Sequence, residues 1–538
     1  MMKPALSRRE FGPLLAGAAL FMTSVLDAAP AAAQSTAFRQ AVAEAAASDR
    51  DIAEFYRAND YRAIWTGNGA GDAARRHALI RALSQAGTHG LPAARYDLDG
   101  LMARMGDARS MRDLGLIEVE MSRTYLQYAR DLQSGILIPS QIDEGIKREV
   151  SYRNRTAYLI DMKEQNPRDV LRALPPQSQE YARLMKEKLR LEHLIAQGGW
   201  GPAVPADALK PGQEGGAVIG LRDRLITMGY LDRSASRSYD ARLQQAVQAF
   251  QADHGLEPDG VAGASTLAAL NTPASERLKS VIVAMERERW LNGDRGARHI
   301  LVNLTDFSAR ILDNDIVIFR TRAVVGMNAS GRRSPEFSDA MEYMVINPTW
   351  HVPRSIAVQE YLPQMQANPN AVSHLRLYDS RGREVSRGAV DFGAYSARTF
   401  PFAIKQPPSN SNALGLVKFM FPNKYNIYLH DTPQKSLFDR EKRDFSHGCI
   451  RLQQPFEFAY ELLSRQESDP SGYFHSVLDT GRETYVNLKQ HVPVHIIYRT
   501  AFTLAQGRTQ YRGDVYGRDA RIWDALDKAG VSLTAVQG

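Results

Sequence analysis

Residues 428–432 read Tyr-Leu-His-Asp-Thr, and residues 445–451 read Phe-Ser-His-Gly-Cys-Ile-Arg. The first segment ends a predicted β-strand, and Cys449 in the second comes nineteen positions after His430 (449 − 430). A thiol attacks a carbonyl carbon well only as a thiolate, so its pKa of about 8.5 must be lowered by a neighbouring imidazole or by backbone dipoles. A histidine that ends a strand beside the cysteine loop supplies that base. The two segments therefore predict a nucleophilic pair, His430 and Cys449, on a β-sheet.

Short β-rich runs surround this pair from about residue 298 to residue 500. We predict strands at 300–304, 309–312, 316–319, 323–326, 343–346, 427–430, 486–488 and 494–498. Asn314-Asp315 is a predicted hairpin turn, and residues 456–464 a predicted helix. A polar, proline-containing insertion, residues 353–410, interrupts the strands, and insertions of this length are usually lids or binding loops. The pattern predicts a mainly β catalytic domain, 298–500.

The rest of the chain has a different periodicity. Apolar residues recur at helical spacing from 36 to 200, which predicts a helical scaffold domain without chemistry of its own. Prolines and glycines up to residue 216 mark a linker, and a compact unit with three helices follows at 217–272. The tail, 501–538, is partly helical and has no assignable function. With 538 residues, the chain is predicted to be a multidomain α+β protein.

The N-terminus has the features of an export signal. Arg8 and Arg9 form a twin-arginine pattern, an apolar stretch follows at 14–26, and Ala31-Ala32-Ala33 offers a small-residue cleavage site. The apolar stretch is shorter than the roughly 20 residues of a spanning helix, so we favour cleavage over a membrane anchor. We predict a signal peptide at 1–33 and a periplasmic protein without a stable membrane span.

Composition limits the function classes. Lys+Arg exceeds Asp+Glu by 67 − 60 = 7, which suits an acidic polymer as partner, although no nucleic-acid-binding signature is present. The single cysteine cannot form an internal disulfide. In an oxidising compartment, a lone thiol is expected to be deeply buried or to do chemistry.

His430 followed by Ser446-His447-Gly448-Cys449 resembles the motif of the L,D-transpeptidases with a YkuD-type catalytic domain. Residues 346–355 (Ile-Asn-Pro-Thr-Trp-His-Val-Pro-Arg-Ser) and 412–419 (Asn-Ala-Leu-Gly-Leu-Val-Lys-Phe) are also similar to this family. They point to its larger branch, which has a helical scaffold and a wall-binding module. Residues 217–272, with the turn Asp259-Gly-Val-Ala-Gly263, resemble the three-helix peptidoglycan-binding module. A small helical packing module is the alternative for this unit.

The resemblance implies a role for each motif residue. Cys449 would attack a tetrapeptide stem at its diamino-acid residue and expel the terminal D-alanine, and His430 would accept the thiol proton. The carbonyl or the side chain of Asp431 would orient the imidazole. The backbone amides of His447, Gly448 and Cys449 would form the oxyanion hole, with Ser446 and the His447 side chain shaping the pocket. An amine of a neighbouring stem would then attack the thioester, without metal or organic cofactor.

Three further residues have two interpretations each. Arg451 either pairs with a stem carboxylate, as a guanidinium fork can, or forms a structural salt bridge under the nucleophile loop. Tyr428 and Trp350 are expected in the core, with a pocket wall as the alternative. His491 and His495 have the spacing of a zinc pair, but Pro493 and the strand-like valines between them argue against it, so no metal is predicted.

Other functions remain open at this level. The same site would make an L,D-carboxypeptidase if water, rather than an amine, took the acyl group. A non-catalytic wall-binding scaffold is a further alternative, against which the intact His430 and Cys449 argue, and a zinc peptidase would need a ligand set that the sequence lacks. The sequence does not identify the acceptor, which could be another stem, a lipoprotein lysine or a free D-amino acid.

Overall fold

The structure is a computed structural model that describes residues 31–533, with side chains from residue 35. The predicted signal peptide lies almost entirely outside these residues. The described chain forms two compact units. The first consists of residues 31–87, Ala93–Asp131 and Arg153–Leu174, and the second of Thr88–Pro92, Leu132–Tyr152 and 175–533.

Helices occupy the N-terminal half of the chain and recur near its end. They are α1 (Ala31–Ala46), α2 (Arg50–Ala58), α3 (Ala70–Ser84), α4 (Leu98–Asp107), α5 (Met111–Ser134), α6 (Pro139–Ile142), α7 (Arg155–Glu164), α8 (Pro167–Ala173), α9 (Gln179–Ala196), α10 (Gly216–Thr227), α11 (Ala241–Asp253), α12 (Ala264–Asn271), α13 (Ala274–Trp290), α14 (Arg354–Ile356), α15 (Leu362–Ala367), α16 (Pro455–Leu463), α17 (Pro470–Leu478) and α18 (Arg518–Lys528). The helical prediction for residues 36–200 is confirmed.

Strands begin at residue 298. They are β1 (Arg298–Asn303), β2 (Ser308–Asp313), β3 (Ile316–Gly326), β4 (Phe337–Ile346), β5 (Trp350–His351), β6 (Arg376–Tyr378), β7 (Glu384–Val385), β8 (Ala403–Gln406), β9 (Val417–Met420), β10 (Leu429–His430), β11 (Asp444–Ser446), β12 (Ile450–Leu452), β13 (Thr484–Ile497), β14 (Ala501–Phe502) and β15 (Gln510–Tyr511).

The first unit is helical and is organised around a buried carboxylate. Glu118 on α5 accepts hydrogen bonds from the hydroxyl of Tyr56 and from the backbone N–H groups of Ile64 and Thr66. A buried charge is stable only when it is hydrogen-bonded. Glu118 thereby connects α5 to α2 and to the segment before α3.

The second unit contains the large sheet, which closes on itself. Its order is β11-β3-β12-β10-β9-β4-β13-β1-β2, and β2 also pairs with β3. The long strand β3 bonds to β2 through residues 316–322 and to β12 through Ala323 and Val324. The sheet encloses the main apolar core, on which α16 and α17 pack. The predicted mainly β domain is confirmed.

The unit at 217–272 is a three-helix module, as predicted. Helices α10, α11 and α12 surround a small core of their own, which includes Leu221, Val247, Phe250 and Leu267. His254 is the C-cap residue of α11, and its Nδ1 lies 2.8 Å from the carbonyl oxygen of Phe250. This contact fixes the imidazole at the end of the helix.

Three local predictions differ from the structure. The runs at 316–319 and 323–326 are one strand, β3, and those at 486–488 and 494–498 are one strand, β13, because polar residues on the outer face of a strand interrupt the apolar pattern without breaking the backbone. The segment 427–430 is a strand only at Leu429 and His430.

The insertion is a folded subdomain and not a loop. Residues 350–414, which we call the cap, contain a sheet of order β5-β8-β6-β7 and an apolar core that includes Leu362, Leu377, Phe400 and Ile404. A π-helical turn, Ala357–Tyr361, connects α14 to α15.

The C-terminal tail also belongs to the second unit. Helix α18 packs on α13, and Arg287 of α13 forms buried ion pairs with Glu336 at 2.6 Å and with Asp519 at 2.7 Å. Tyr511 on β15 stacks on His254 of the three-helix module, with ring centroids 5.6 Å apart. The tail thus contacts the catalytic domain and the module.

Candidate active site

The candidate nucleophile and base lie on neighbouring strands. In the parallel pair of β10 and β12, Leu429 is opposite Ile450 and His430 opposite Arg451, so the registers place Tyr428 beside Cys449. The backbone N–H of Ile450 donates to the carbonyl oxygen of Tyr428 at 3.1 Å. The sheet therefore fixes the relative position of the two motifs, which are far apart along the chain.

The His430 imidazole is held in one orientation. Its Nδ1 lies 2.5 Å from the carbonyl oxygen of Asp431, so Nδ1 carries the proton, and the backbone of Leu414 is a second neighbour of the imidazole. Burial and the charge of Arg451 lower the pKa of His430 to about 3. A neutral imidazole with an available Nε2 is the form that a general base requires.

The Cys449 thiol is protonated in this structure. Burial raises the pKa of Cys449 to about 11, although hydrogen bonds from the backbone and the hydroxyl of Tyr428, together with Arg451, act in the opposite direction. The thiol donates a hydrogen bond to the carbonyl oxygen of Asn426 at 3.5 Å, and no hydrogen bond joins it to His430 among residues 31–533. The expected lowering of the thiol pKa by the imidazole is therefore absent from this state.

Asp431 supports the strand end through its side chain. One carboxylate oxygen accepts from the backbone N–H of Leu416 at 2.9 Å, and the other lies 2.6 Å from Nζ of Lys435. Gly415 has φ +62°, and a Cβ there would lie 2.2 Å from this carboxylate. The carbonyl of Asp431, and not its side chain, contacts the imidazole.

Ser446 crosslinks the nucleophile loop. Its hydroxyl donates to the carbonyl oxygen of Cys449 at 2.5 Å and accepts from the N–H of Gly448 at 3.1 Å. This differs from the predicted oxyanion hole, because the Gly448 amide is already engaged. The amides of His447 and Cys449 have no hydrogen-bond partner within the described part of the chain. Two of the three predicted donors are thus free.

Two residues that the sequence did not indicate brace this loop from behind. The hydroxyl of Ser334 donates to the carbonyl oxygen of Gly448 at 2.6 Å and accepts from the N–H of Gly326 at 2.9 Å. The hydroxyl of Tyr516 donates to the carbonyl oxygen of Gly326 at 2.6 Å. Gly448 has φ +119°, a conformation that favours glycine.

The cap reaches the same loop from its π-helical turn. One carboxylate oxygen of Glu360 lies 2.6 Å from Nε2 of His447 and 2.5 Å from a guanidinium nitrogen of Arg332. The side chain of His447 therefore contacts the cap. Local sequence gave no signal for Glu360, because the contact spans 87 positions.

Arg451 and Trp350 can now be placed. A guanidinium nitrogen of Arg451 donates to the side-chain oxygen of Gln434 at 2.6 Å, and no carboxylate between residues 31 and 533 pairs with it, so the structural salt bridge is not formed. Its Nε is buried without a hydrogen-bond partner. Trp350 packs in the core of the cap, edge-on to Tyr361 at 6.2 Å.

Tyr428 lies in the site rather than in the main core. Its hydroxyl acts on the pKa of Cys449, which it lowers, and its ring centroid lies 5.6 Å from that of His430. Burial and the neighbouring cysteine raise its pKa well above the usual value. The pocket-wall interpretation therefore describes its position better than core packing.

The two histidines with zinc-like spacing have other contacts. His495 on β13 contacts the hydroxyl of Ser338 through Nδ1 at 2.7 Å and the carbonyl oxygen of Arg295 through Nε2 at 3.0 Å, whereas His491 is exposed. No cluster of three or more potential metal ligands occurs in the described chain. None of the described helices combines the length and apolarity needed to cross a membrane.

Three protein families match successive parts of the chain. Residues 50–187 match a scaffold domain, residues 214–270 the "Putative peptidoglycan binding domain", and residues 297–471 the L,D-transpeptidase catalytic domain named YkuD. The chain therefore contains these three domains in this order.

Two curated proteins are similar over part of their length. A "Putative L,D-transpeptidase" of Haemophilus influenzae is 30% identical over 237 residues, which cover 43% of this chain and 47% of that protein. The N-acetylmuramoyl-L-alanine amidase CwlM of Mycobacterium tuberculosis is 28% identical over 205 residues, which cover 35% of this chain and 48% of that protein. The chain spans about half the length of these relatives.

Among solved structures, an L,D-transpeptidase (Yku) from Stackebrandtia nassauensis is 14% identical and covers 55% of this chain and 97% of that chain. Its TM-score of 0.21 is too low to indicate a shared overall fold.

Proposed function

We propose that this chain, whose residues 297–471 form an L,D-transpeptidase catalytic domain, joins the third residues of two peptidoglycan stems through a thioester on Cys449. One observation carries the proposal. His430, with Nδ1 bonded to a backbone carbonyl, ends the strand next to the nucleophile loop. This is the arrangement in which a neutral imidazole can take a thiol proton.

The acylation step follows from the two neutral groups. As the Cys449 sulfur attacks the carbonyl carbon of the third stem residue, its proton passes to Nε2 of His430. The negative charge on the carbonyl oxygen is stabilised by the free amides of His447 and Cys449. The carbon–nitrogen bond to the terminal D-alanine then breaks, and the imidazolium returns the proton to the leaving amine.

The second step reverses these roles. An amine of a neighbouring stem attacks the thioester and loses a proton to His430, and the sulfur leaves as the thiol. The product is an amide between two third residues, so atoms and charges balance without a metal or an organic cofactor. Arg451, which has no carboxylate partner among the described side chains, is suited to bind a stem carboxylate during both steps.

The hydrogen bond of Tyr428 has a role in the same mechanism. A phenol that donates to sulfur stabilises the developing thiolate more than the thiol, because a hydrogen bond to a charged acceptor is the stronger one. The contact partly offsets the cost of ionising a buried thiol. We assign Tyr428 to the stabilisation of the attacking sulfur.

The proposed location follows from the substrate and from the N-terminal sequence. We propose that the twin-arginine segment at Arg8 and Arg9 directs export and that the protein acts in the periplasm. Replacing both arginines by lysine should leave the protein in the cytoplasmic fraction. Unchanged periplasmic recovery would refute this route.

The decisive experiment is mass spectrometry of disaccharide-tetrapeptides incubated with the protein and with Cys449→Ala. A dimer lighter than two monomers by one free alanine, absent with the variant, is the expected result. Tripeptide without dimer would replace the proposal by an L,D-carboxypeptidase. No product from a correctly folded wild-type protein would favour a non-catalytic wall-binding scaffold.

A further inference from the structure

A cavity of about 710 Å³ separates the three-helix module from the catalytic sheet. One wall is the turn after α11, residues 252 and 254–258. The opposite wall is formed by residues 305–308 at the start of β2, by residues 320–322 of β3, by residues 439–443 and 453–454, and by residues 512–515 of the tail. Both walls belong to the second unit, so the cavity lies within that unit.

Several arginines lie in or next to the wall of the cavity that the catalytic domain forms. Arg310 and Arg320 are directly opposite each other on β2 and β3, and Arg322 lies two positions further along β3, on the same face. Like charges in such cross-strand positions repel each other. The guanidinium carbons of Arg310 and Arg512 lie 5.4 and 5.2 Å from the centre of the Phe502 ring, so both use the same aromatic side chain.

Few of these charges are neutralised. Asp306 forms an ion pair with Arg310, and no carboxylate in the described chain pairs with Arg320, Arg322, Arg443 or Arg512. The recorded hydrogen bonds of Arg443 end on backbone carbonyls, and no side-chain hydrogen bond is formed by Arg320 within residues 31–533.

Burial, neighbouring arginines and Asp306 act on the charges of Arg443 and Arg512. Burial and neighbouring guanidinium groups lower the pKa of Arg443 and of Arg512 to about 10. Other contacts use two of the acids that line the cavity: Asp514 binds the Tyr498 hydroxyl, and Glu441 accepts from the backbone N–H of Glu257. The side chains of Glu257, Asp439 and Glu441 are exposed at its mouth.

We propose that this cavity is a second binding site for peptidoglycan, which holds a stem-peptide carboxylate against Arg320 and Arg322 beside the three-helix module. The inference rests on the proposed function and adds a site separate from Cys449. A planar guanidinium binds a carboxylate through two parallel hydrogen bonds, and a pair of arginines without counter-ions favours such a ligand. The three-helix module supplies the other wall of the cavity. A peptidoglycan strand bound in the cavity would therefore reach the catalytic domain from a defined side.

Binding is measured by calorimetry in the full chain with Cys449→Ala, which prevents turnover. The probe is a disaccharide-tetrapeptide, and the test variant adds Arg320→Glu. Because Arg320 makes no side-chain hydrogen bond or ion pair in the described structure, the exchange removes no structural contact. Arg465→Glu, at an exposed arginine paired with Asp313 elsewhere in the catalytic domain, is the charge-matched control.

We expect Arg320→Glu to weaken binding by about tenfold or more, the size of one lost charge-assisted hydrogen bond, and Arg465→Glu to leave it within about twofold. A probe with amidated carboxyl groups should bind wild-type and Arg320→Glu chains equally weakly. Equal binding of the unamidated probe by the Cys449→Ala chain and by its Arg320→Glu and Arg465→Glu variants would contradict the proposed site. If millimolar inorganic phosphate displaces the probe, and if amidation of the probe does not change its affinity, the cavity is a phosphate site and the proposal is refuted.

The outcome is independent of the chemistry at Cys449. Acylation of the wild-type thiol by a small β-lactam reports the nucleophile alone. If acylation and cross-linking fail while Arg320→Glu still weakens binding, the proposed function is wrong and the site stands. If cross-linking succeeds and Arg320→Glu does not change the affinity for the probe, the proposed site is wrong and the proposed function stands.

Discussion

Nε2 of His447 lies 2.6 Å from a carboxylate oxygen of Glu360, so the cap contacts the residue two positions before the nucleophile. The same oxygen also accepts from Arg332. One acidic side chain therefore connects the cap, the nucleophile loop and the segment between β3 and β4. We predict that this contact limits the access of large molecules to the thiol.

Glu360→Gln should loosen the cap. Because these side chains are about one-third exposed, we expect a loss of roughly 1 kcal/mol, or about a fivefold increase in the open population. The measurement compares alkylation of Cys449 by iodoacetamide and by a bulky maleimide. The rate of alkylation by the bulky maleimide should increase more than the rate of alkylation by iodoacetamide. Glu384→Gln, at an exposed ion pair of the cap with Arg376, is the control, and an equal ratio in all three proteins would exclude the contact as a gate.

The thiol and the imidazole should both stay neutral over a wide pH range. With the pKa of Cys449 near 11 and that of His430 near 3, alkylation should accelerate about tenfold per pH unit between about pH 7 and 10, as the thiolate fraction rises. Acyl transfer should vary much less, because the proton moves within the pair. A plateau in alkylation near neutral pH would reveal a preformed thiolate and contradict this assignment.

Tyr428→Phe should slow both reactions. The variant removes the hydroxyl that donates to sulfur, which raises the thiol pKa further. We expect alkylation at pH 8 to fall by roughly tenfold, the value of one hydrogen bond to a charged group. Tyr425→Phe is the matched control, because this ring packs on Phe337 outside the site. Equal rates in both variants would remove Tyr428 from the mechanism.

Ser334→Ala tests the brace behind the nucleophile loop. The buried hydroxyl satisfies Gly448 and Gly326 together, so its loss should cost about 1–3 kcal/mol of stability. Acylation of Cys449 by a β-lactam should also slow, as the amides of the loop lose their fixed direction. Ser464→Ala, at an exposed serine at the end of α16, is the control for thermal unfolding and acylation. A stable variant with normal acylation would show that the brace has no role.

Acid should destabilise the second unit. Burial lowers the pKa of His495 to about 4, from a usual value near 6.5. Between these two pH values the unfolded chain binds more protons than the folded chain. The free energy of unfolding is therefore highest above about pH 6.5 and decreases as the pH falls towards 4. Melting temperatures at pH 7.5, 5.5 and 4.5 should fall in that order. His495→Gln should flatten the trend, and an unchanged slope would exclude this histidine.

Local sequence predicted the domain types, for physical reasons. The catalytic roles of His430 and Cys449 stay predictions. The strand that ends at His430 and the glycine before Cys449 are encoded within a few positions, where periodicity and backbone preference act. Local sequence could not predict the pKa of the Cys449 thiol, because this pKa depends on how the whole fold buries the sulfur. The same holds for Glu360, Ser334 and Tyr516, which approach the loop only after distant segments have packed.

The extent of the cap was underestimated for a related reason. Its strands β5, β6, β7 and β8 have two to four residues each, too few to produce a clear alternation of apolar and polar positions. The core of the cap forms from residues scattered over more than sixty positions, which no local window combines.

The position of Tyr516 along the chain has a consequence for synthesis. It follows Cys449 by 67 residues (516 − 449), so a ribosome working at about 5–20 residues per second completes the nucleophile loop roughly 3–13 seconds before it adds Tyr516. During that interval Gly326 lacks the hydroxyl that fixes it. The growing chain therefore carries its thiol for several seconds before the loop around it can adopt its final shape.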